Sequence, residues 1–273
     1  MSPAKTLRLS RILDAASRRS LIVPIDHGMT LGPIAGIETV RAVTSWIGHP
    51  AINAVIAHKG IATRLAERGA LQGKGLIIHL NGMTSMAERP DDKVMLTTVD
   101  AAARLGADGV SLQVNFTGDN DAANWRMLAQ AADEAADAGL VLTTMLYDKA
   151  TVRNKAEGTR RMRHLLRTAV ELGTDALKIA MPGDRFDLGE VLAAVHEDAL
   201  VFVAGGDLIE PTLFLSQVSQ ALRLGARGVC VGRNIFGRPR PEAVLSQLKA
   251  VLGEDSGKLR VIESQGGLSH GMH

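Results

Sequence analysis

Short apolar runs alternate with longer amphipathic stretches along almost the whole chain. The amphipathic stretches, such as ANWRMLAQAADEAADAG, TRRMRHLLRTAVELG and LFLSQVSQALRLG, have helical spacing of apolar residues and end at a glycine. The pattern predicts eight strand-and-helix units, whose strands are LIVPID from Leu21, INAVIA from Ile52, GLIIHL from Gly75, GVSLQV from Gly109, LVLTTML from Leu140, DALKIAM from Asp175, ALVFVAG from Ala199 and GVCVG from Gly228.

This alternation predicts an α/β fold in which helices cover a parallel sheet. Eight units in 273 residues favour a closed (β/α)8 TIM barrel, which takes about 250 residues, over an open doubly wound sheet. No Gly-x-Gly-x-x-Gly motif follows the first run, which argues against a dinucleotide-binding domain. We expect a single barrel domain over residues 1–273, with an extra N-terminal helix in residues 1–20 and a polar tail over 253–273.

Composition narrows the class of partner. The formal charge of +2 gives no basis for binding nucleic acid or an anionic membrane. No run approaches eighteen apolar residues, and the charged N-terminus lacks the apolar core of a signal peptide. The single cysteine, Cys230, excludes an internal disulfide and is expected to be a small buried hydrophobe. We therefore expect a cytoplasmic protein that acts on small molecules.

The sixth run, TDALKIAM, places a lysine in the middle of an apolar strand. Strand alternation puts Leu177 and Ile179 on one face and Lys178 on the other, between two alanines. Burial is predicted to lower the pKa of this lysine from ~10.4 towards neutrality, which would give a nucleophilic amine able to form a Schiff base. The alternative is a lysine near the strand end that reaches solvent or forms an ion pair.

Two more residues at predicted strand ends could take part in proton transfer, because the chemistry of such barrels gathers at the C-terminal ends of the strands. Tyr147, the only tyrosine, ends the fifth strand and could exchange a proton or simply pack with its hydroxyl bonded. Asp26 ends the first strand. It could pair with Lys178 or His27, or carry a proton once the lysine is covalently occupied.

The last two predicted strands end in a phosphate-binding pattern. In this fold the loops after strands seven and eight often hold a phosphate through backbone amides. Here Gly205–Gly206 and Gly232–Arg233 occupy those loops, and the arginine could add charge-assisted hydrogen bonds. The alternative is that these glycines only make tight turns.

A metal site and a different nucleophilic lysine are the rival interpretations of these strand ends. His27, His58 and His79 end successive strands, but no His-x-His or Glu-x-x-His spacing supports a metal, so no metal and no cofactor are predicted. Lys59 and Lys149 lie at loop edges beside glycine or charged residues, where a lysine is easily solvated. Both are weaker Schiff-base candidates than the lysine of the sixth run.

Taken together, several motifs resemble those of the archaeal-type class I aldolase family, which has the (β/α)8 fold. The likeness spans about Leu21 to Phe236 and rests on VPIDHGMTLGPIAGIE from Val23, HKGI from His58, IIHLNGMTS from Ile77, DDKVMLTTV from Asp91, ADGVSLQVN from Ala107, LGTDALKIA from Leu172, AGGD from Ala204 and GVCVGRNIFG from Gly228. It is greatest to members that join aspartate semialdehyde to a phosphorylated ketone, such as dihydroxyacetone phosphate, for aromatic or aminohydroxybenzoate-type pathways.

The resemblance implies a role for each matching residue. Lys178 would be the Schiff-base lysine, Tyr147 the general acid or base, and Asp26 an assistant in proton transfer. The residues implied to contact the phosphorylated substrate are Asp26, His27, Gly28, Met29, Thr30, Tyr147, Asp148, Lys149, Lys178, Gly205, Gly206, Gly232 and Arg233. The resemblance also implies a ring-based homo-oligomer, such as a decamer.

Two departures from the family pattern leave the aldehyde partner open. Asp148–Ala150 stands where relatives have a Pro-Arg-Gly-like turn, and Ile179–Pro182 where they have a hydroxyl-bearing run. Alternatives are a fructose-bisphosphate aldolase and an autoinducer-2-type thiolase, which would require coenzyme A. A phosphosugar-binding barrel without carbon–carbon chemistry is the alternative from a different functional class.

Overall fold

Eight parallel strands close into a barrel in the computed structural model, which describes residues 2–253. They follow chain order around the ring, and the last strand pairs with the first. A separate antiparallel ribbon is formed by β4 and β5. The strands are β1 (Ser20–Pro24), β2 (Ala54–Ala57), β3 (Gly75–His79), β4 (Asn81–Gly82), β5 (Val94–Met95), β6 (Gly109–Phe116), β7 (Val141–Asp148), β8 (Ala176–Ile179), β9 (Leu200–Ala204) and β10 (Gly228–Cys230).

Helices cover the outside of the barrel and one of its ends. They are α1 (Pro3–Ile12), α2 (His27–Leu31), α3 (Val40–Thr44), α4 (Lys59–Glu67), α5 (Val99–Arg104), α6 (Asp121–Asp137), α7 (Lys155–Glu171), α8 (Leu188–Ala193), α9 (Pro211–Arg223), α10 (Arg233–Phe236) and α11 (Pro241–Gly253). The predicted barrel with an extra N-terminal helix is thus confirmed. The predicted polar tail lies outside the described residues, apart from residue 253.

Local sequence signals explain where the helices begin and end. Asn154 caps α7 by accepting the Glu157 backbone N–H at 2.9 Å, and the Glu157 carboxylate accepts the backbone N–H of Arg153 in return. At the other end of α7, Gly173 adopts a φ of +99°, a left-handed conformation that favours glycine. The same glycine turn recurs after α5 and α9, at Gly106 and Gly225.

Strand alternation divides the apolar residues into two layers. On β8, Leu177 and Ile179 face the surrounding helices, whereas Ala176 faces the interior of the barrel with Lys178. The interior is filled rather than hollow, by side chains that include Ile22, Ile56, Ile77, Val141, Met145, Phe202 and Cys230. Cys230 is buried, as predicted. Packing each of these large side chains away from water stabilises the fold by roughly 2 kcal/mol.

The two ends of the barrel have different covers. The N-terminal ends of the strands, here called the base, are closed by α1, whose Leu9 and Ile12 pack into the interior with Leu13. The C-terminal ends of the strands, here called the mouth, carry the β4–β5 ribbon and the loops that follow each strand. No helix within residues 2–253 is both long and apolar enough to cross a membrane.

Candidate active site

Lys178 lies inside the barrel on β8 and is almost fully buried. The residue is 6% exposed, and its Nζ lies 3.7 Å from the sulfur of Met145, the residue in register on β7. Among residues 2–253 no carboxylate approaches Nζ within ion-pair distance. An amine buried without a matching anion is costly, which is typical of functional sites rather than of structural ion pairs.

The electrostatic environment of Lys178 overturns the prediction about its pKa. Burial lowers the pKa, but Cys230 in its ionised form, the Tyr147 hydroxyl and the Asp26 carboxylate together raise it above its ordinary value, so Lys178 is protonated at neutral pH. The prediction of a pKa near neutrality is therefore wrong in sign. It considered desolvation alone, whereas the opposing groups come from three other strands or their ends. Lys178 must lose its proton before it can attack a carbonyl carbon.

Asp26 is the group that keeps a negative charge beside Lys178 at neutral pH. Burial raises its pKa, but the cations around it, His79 first, lower the pKa to about 2. The thiol of Cys230 stays neutral, because burial raises its pKa to about 11. His79 is itself neutral at pH 7, since burial lowers its pKa to about 4, so Lys178 is the cation that stabilises the Asp26 carboxylate there.

Histidines surround Asp26 without hydrogen-bonding to it. His27 Nδ1 lies 3.7 Å from Asp26 Oδ1, and His79 Nε2 lies 3.7 Å from Asp26 Oδ2, both beyond hydrogen-bond length. Asp26 Oδ1 and His27 Nδ1 are buried and have no hydrogen-bond partner within the described chain. His79 is fixed from its other side, where Nδ1 lies 2.8 Å from the Ser111 hydroxyl. The unpartnered atoms offer bonding positions to a ligand.

Tyr147 is the next inward-facing residue after Met145 on β7, and it lies roughly 7 Å nearer the mouth. Its ring packs against the side chains that fill the barrel, and its hydroxyl is one of the groups that act on Lys178. The structure therefore brings Tyr147, Lys178 and Asp26 into one cluster. This cluster has an amine, a phenol and a carboxylate, which is what covalent carbonyl chemistry with proton transfer requires.

The two residues after Tyr147 are held by other protein groups. The Asp148 carboxylate accepts two hydrogen bonds from Arg161, at 2.7 and 2.9 Å, and its side chain is almost fully buried. Lys149 is exposed and pairs with Asp91 at 3.4 Å. Asp148 therefore anchors the loop to α7, and direct contact of either side chain with substrate stays a prediction. The solvated positions predicted for Lys149 and for Lys59 are confirmed.

The loops after β9 and β10 meet at the mouth and require glycine. A Cβ at Gly205 would lie 2.7 Å from Val231 Cγ1, and one at Gly232 would lie 2.7 Å from Phe236 and 2.9 Å from His27. Gly206 has a φ of +65°. Arg233 reaches across to form an ion pair with Asp207. The structure thus brings the four predicted residues of the two loops together, and their binding of phosphate stays a prediction.

Asn234 joins these two loops and was missed by sequence reasoning. It is fully buried, and its Nδ2 donates to the carbonyls of Gly205 and Asp207 at 2.9 and 2.7 Å. Its Oδ1 accepts the Ile209 backbone N–H at 3.1 Å. Nothing in the local pattern NIFG distinguishes this role, because the partners lie about 25 residues earlier in the chain.

The segment after Asp26 forms α2, which contains the predicted ligands His27, Gly28, Met29 and Thr30. A cavity of about 710 Å³ opens beside it, lined by Asp26, Met29, His58 and mostly apolar neighbours. Ser85, in the β4–β5 loop, donates its backbone N–H to the Thr30 carbonyl at 2.9 Å. The ribbon is therefore attached to α2 at the mouth.

Two of the three histidines predicted at strand ends are in contact with each other. The rings of His58 and His79 form an edge contact with centroids 5.2 Å apart. Within the described residues no group of three or more histidine, cysteine or carboxylate side chains is arranged to hold a metal ion. The expectation that the reaction is independent of metal stays a prediction.

Comparison with known proteins identifies the family of the chain. Residues 20–238 match the model of the DeoC/LacD family aldolases. The chain is 35% identical to 2-amino-3,7-dideoxy-D-threo-hept-6-ulosonate synthase 1 of Archaeoglobus fulgidus, over 97% of this chain and 96% of the relative. It is 28% identical to 2-amino-4,5-dihydroxy-6-oxo-7-(phosphonooxy)heptanoate synthase of Streptomyces griseus, over 91% and 90% of the two chains.

Solved structures show the same architecture. A Schiff-base-forming fructose-1,6-bisphosphate aldolase superposes with a TM-score of 0.76 at 25% identity, over 91% of this chain and 99% of the other. The family match covers most of the chain, and the first of the relatives exceeds 30% identity over nearly its full length. The chain therefore belongs to the DeoC/LacD family and is a class I aldolase.

Proposed function

We propose that the enzyme forms a Schiff base between Lys178 and a phosphorylated ketone, and joins the resulting nucleophile to aspartate semialdehyde. The neutral amine adds to the ketone carbon, and loss of water gives an iminium ion. Removal of a proton from the neighbouring carbon gives an enamine, which attacks the aldehyde carbon to form the new carbon–carbon bond. Water then releases the product and restores the amine.

The observation that carries the proposal is the environment of Lys178. This buried amine forms no ion pair, yet it lies near the phenol of Tyr147 and the carboxylate of Asp26. The iminium keeps the positive charge that the site already holds, so Asp26 stabilises it as it stabilises the ammonium. Tyr147 would donate a proton to the aldehyde oxygen as the bond forms. Asp26, next to the imine, would assist the proton transfer at carbon.

The ketone phosphate would bind between the loops after β9 and β10. The space beside Gly206 is open, so a ligand can approach its backbone closely, and Arg233, which pairs with Asp207, carries a cation at the edge of the site. Strand order places β8 immediately beside β9, so a phosphate held there positions the adjoining carbonyl near Lys178. Positioning of this kind lowers the barrier, so a ketone without phosphate should lose turnover and not only affinity.

The choice of aspartate semialdehyde as acceptor rests on the seven-carbon 2-amino acid products named for the relatives from Archaeoglobus fulgidus and Streptomyces griseus. The choice of dihydroxyacetone phosphate as donor rests on the Streptomyces griseus product alone, which carries a phosphate at carbon 7. A fructose-bisphosphate aldolase is the second candidate. Its support is a Halobacterium salinarum enzyme of that name, 29% identical over 86% of this chain and 91% of the relative. That alternative would take glyceraldehyde 3-phosphate as acceptor.

A direct competition for the acceptor tests the proposal. Purified enzyme would receive dihydroxyacetone phosphate with equal amounts of aspartate semialdehyde and glyceraldehyde 3-phosphate, and the products would be identified by mass spectrometry. We expect the seven-carbon amino acid phosphate to dominate and to be absent with the Lys178→Met variant. Preferential formation of the six-carbon bisphosphate would support the second candidate, and product formation by the variant would reject Lys178 as nucleophile.

A further inference from the structure

A second buried lysine lies at the mouth. Lys93 immediately precedes β5 and its residue is 8% exposed, about as buried as Lys178. Among residues 2–253 its ammonium makes no hydrogen bond and no ion pair, and its nitrogen keeps contact with solvent. A lysine whose stem is packed in the protein and whose ammonium has no protein partner is available to a ligand, and the reaction proposed above does not use this residue. Lys93 therefore needs a separate explanation.

The backbone that carries Lys93 is held firmly across the mouth. Asp91, two residues earlier, pairs with Lys149 after β7, and its carbonyl accepts a long hydrogen bond from Asn115 of β6 at 3.4 Å. Asp92 accepts a hydrogen bond from Asn120 at 2.9 Å. On the other side, the β4–β5 loop is bonded to α2, as described above. Lys93 is thus fixed in place by neighbours on both sides.

The ribbon that carries Lys93 lies against the cluster at the mouth, because Gly82 pairs with Val94 and a Cβ at Gly82 would lie 3.0 Å from Met29 and 3.7 Å from His58. The charges that act on Lys93 include the carboxylates of Asp91 and Asp26, and Lys93 in turn acts on His79, which lies against Asp26. Burial lowers the pKa of Lys93, Lys149 lowers it further, and the two carboxylates only partly oppose this shift. The cation is therefore not fully compensated by the protein. A bound anion would supply the missing charge.

The order of strands around the barrel indicates which substrate would supply this anion. Around the barrel, β3 and β6 lie opposite β9 and β10, with β7 and β8 between them on one side. Lys93 belongs to the ribbon that connects β3 to β6, whereas the glycine loops proposed to hold the donor phosphate follow β9 and β10. With the donor's phosphate at one edge and its carbonyl at Lys178, the acceptor extends towards the opposite edge.

We propose that Lys93 binds the carboxylate of the acceptor aldehyde and so selects acceptors that carry this group. The inference rests on the proposed function for the identity of the reaction, and adds that the acceptor class is an aldehyde with an anionic carboxylate. One ammonium offers a charge-assisted hydrogen bond to such a group, and the partly buried position strengthens the bond. The carboxylate holds the acceptor in line with the enamine formed at Lys178.

The test compares Lys93→Met with wild type and with Lys155→Met, which removes an exposed lysine at the start of α7. With dihydroxyacetone phosphate as donor, we expect Lys93→Met to raise KM for aspartate semialdehyde at least tenfold. Its kcat should change less than threefold, and its KM for propanal, which lacks a carboxylate, less than twofold. Lys155→Met should match wild type with both aldehydes. Equal changes for the two aldehydes, or none, would overturn the proposal.

A binding measurement keeps this test separate from that of the proposed function. L-Homoserine has the carboxylate of aspartate semialdehyde but a hydroxyl in place of its aldehyde, and 3-aminopropan-1-ol lacks the carboxylate. By calorimetry, Lys93→Met should weaken L-homoserine binding at least fivefold and leave 3-aminopropan-1-ol unchanged. This comparison needs no turnover, so it decides on Lys93 even if the enzyme joins other substrates. Unchanged affinity for L-homoserine would contradict the assignment.

Discussion

The base of the barrel and the cluster around Lys178 at its mouth treat buried charge in opposite ways. At the base, Lys5 is 7% exposed and forms an ion pair with Asp175 at 2.7 Å. At the mouth, Lys178 and Lys93 are equally buried, yet neither is within ion-pair distance of a carboxylate among the described residues. The chain therefore can match a buried lysine with an anion, and does so at the end where α1 closes the barrel.

The carboxylates at the base are also fully engaged with the backbone. Asp175 accepts the backbone N–H of Leu142 at 2.8 Å in addition to Lys5, and Asp108 accepts that of Leu76 at 3.1 Å in addition to Arg11. By contrast, the mouth leaves Asp26 Oδ1 without a partner. The difference shows that satisfied charge supports the fold at the base, whereas unsatisfied charge at the mouth is available for chemistry.

The largest effect is expected at the mouth, from Tyr147→Phe. Removing the hydroxyl removes the proposed proton donor, so kcat for the aldol reaction should fall about 10²- to 10⁴-fold. The amine should still form its imine, because Lys178 is untouched. Steady-state kinetics together with borohydride trapping would separate the two steps. A variant with wild-type kcat would show that the phenol only packs.

At the base, Lys5→Met should reduce stability and leave the reacting groups intact. It leaves the buried Asp175 carboxylate without its cation, and breaking such a pair costs about 3 kcal/mol. Chemical denaturation would measure the loss, with Arg104→Ala as control. The Arg104–Asp100 pair is exposed, so the control should change the free energy of unfolding by no more than about 0.5 kcal/mol. An equal loss of unfolding free energy in the two variants would show that the buried ion pair at the base stabilises the fold no more than an exposed pair.

Acidification should destabilise the protein through His79. Its pKa is about 4 in the folded state and ordinarily 6.5, so the unfolded chain binds the proton first as the pH falls. The stability due to neutral His79 is complete above pH 6.5 and is lost between pH 6.5 and 4. Between pH 7.5 and 5.0 the loss is about 2 kcal/mol.

Denaturation curves at the two pH values would measure this dependence, and His79→Asn should make it shallower. Asp26 does not offset it, because its carboxylate is ionised in both states above pH 4. If the variant kept the full wild-type dependence, the shift would belong to other groups, and His79 would not be the buried neutral histidine described above.

The smallest effect is expected from Lys93→Met on stability. Because this buried lysine has no ion-pair partner within residues 2–253, replacing it with an apolar side chain should leave the free energy of unfolding unchanged or raise it by about 1 kcal/mol. The same denaturation assay used for Lys5→Met gives a matched comparison of a paired and an unpaired buried lysine. A loss of stability as large as that of Lys5→Met would mean that Lys93 is part of the structural framework.

The sequence predicted the barrel well because its signals are local. Eight apolar runs and the glycine turns of the LGADG type specify strands and helix ends, and alternation within TDALKIAM correctly placed Lys178 on the interior face. The β4–β5 ribbon escaped prediction because its strands are two residues long and both residues of β5 are exposed. Lys93 escaped with it, since DDKVMLTT has no strand-length pattern to show which side chains are buried.

The rest of the site depends on contacts between distant parts of the chain. The bidentate pair of Asp148 with Arg161 reaches from a strand end to the next helix, and local sequence gives no sign that this carboxylate is occupied. The sign of the Lys178 pKa shift likewise depends on Cys230, Tyr147 and Asp26, which only the closed ring brings together. Sequence singled out Lys178, Tyr147 and Asp26, which the structure brings together, but it did not predict their charge states.

Borohydride trapping is the most direct test of the claim that the unpaired charge at the mouth performs the chemistry. The enzyme would be incubated with dihydroxyacetone phosphate, reduced, digested, and mapped by mass spectrometry beside Lys178→Met. The account predicts one adduct, on Lys178, which disappears in the variant. An adduct on Lys93, Lys59 or Lys149, or no adduct with the wild-type enzyme, would contradict it.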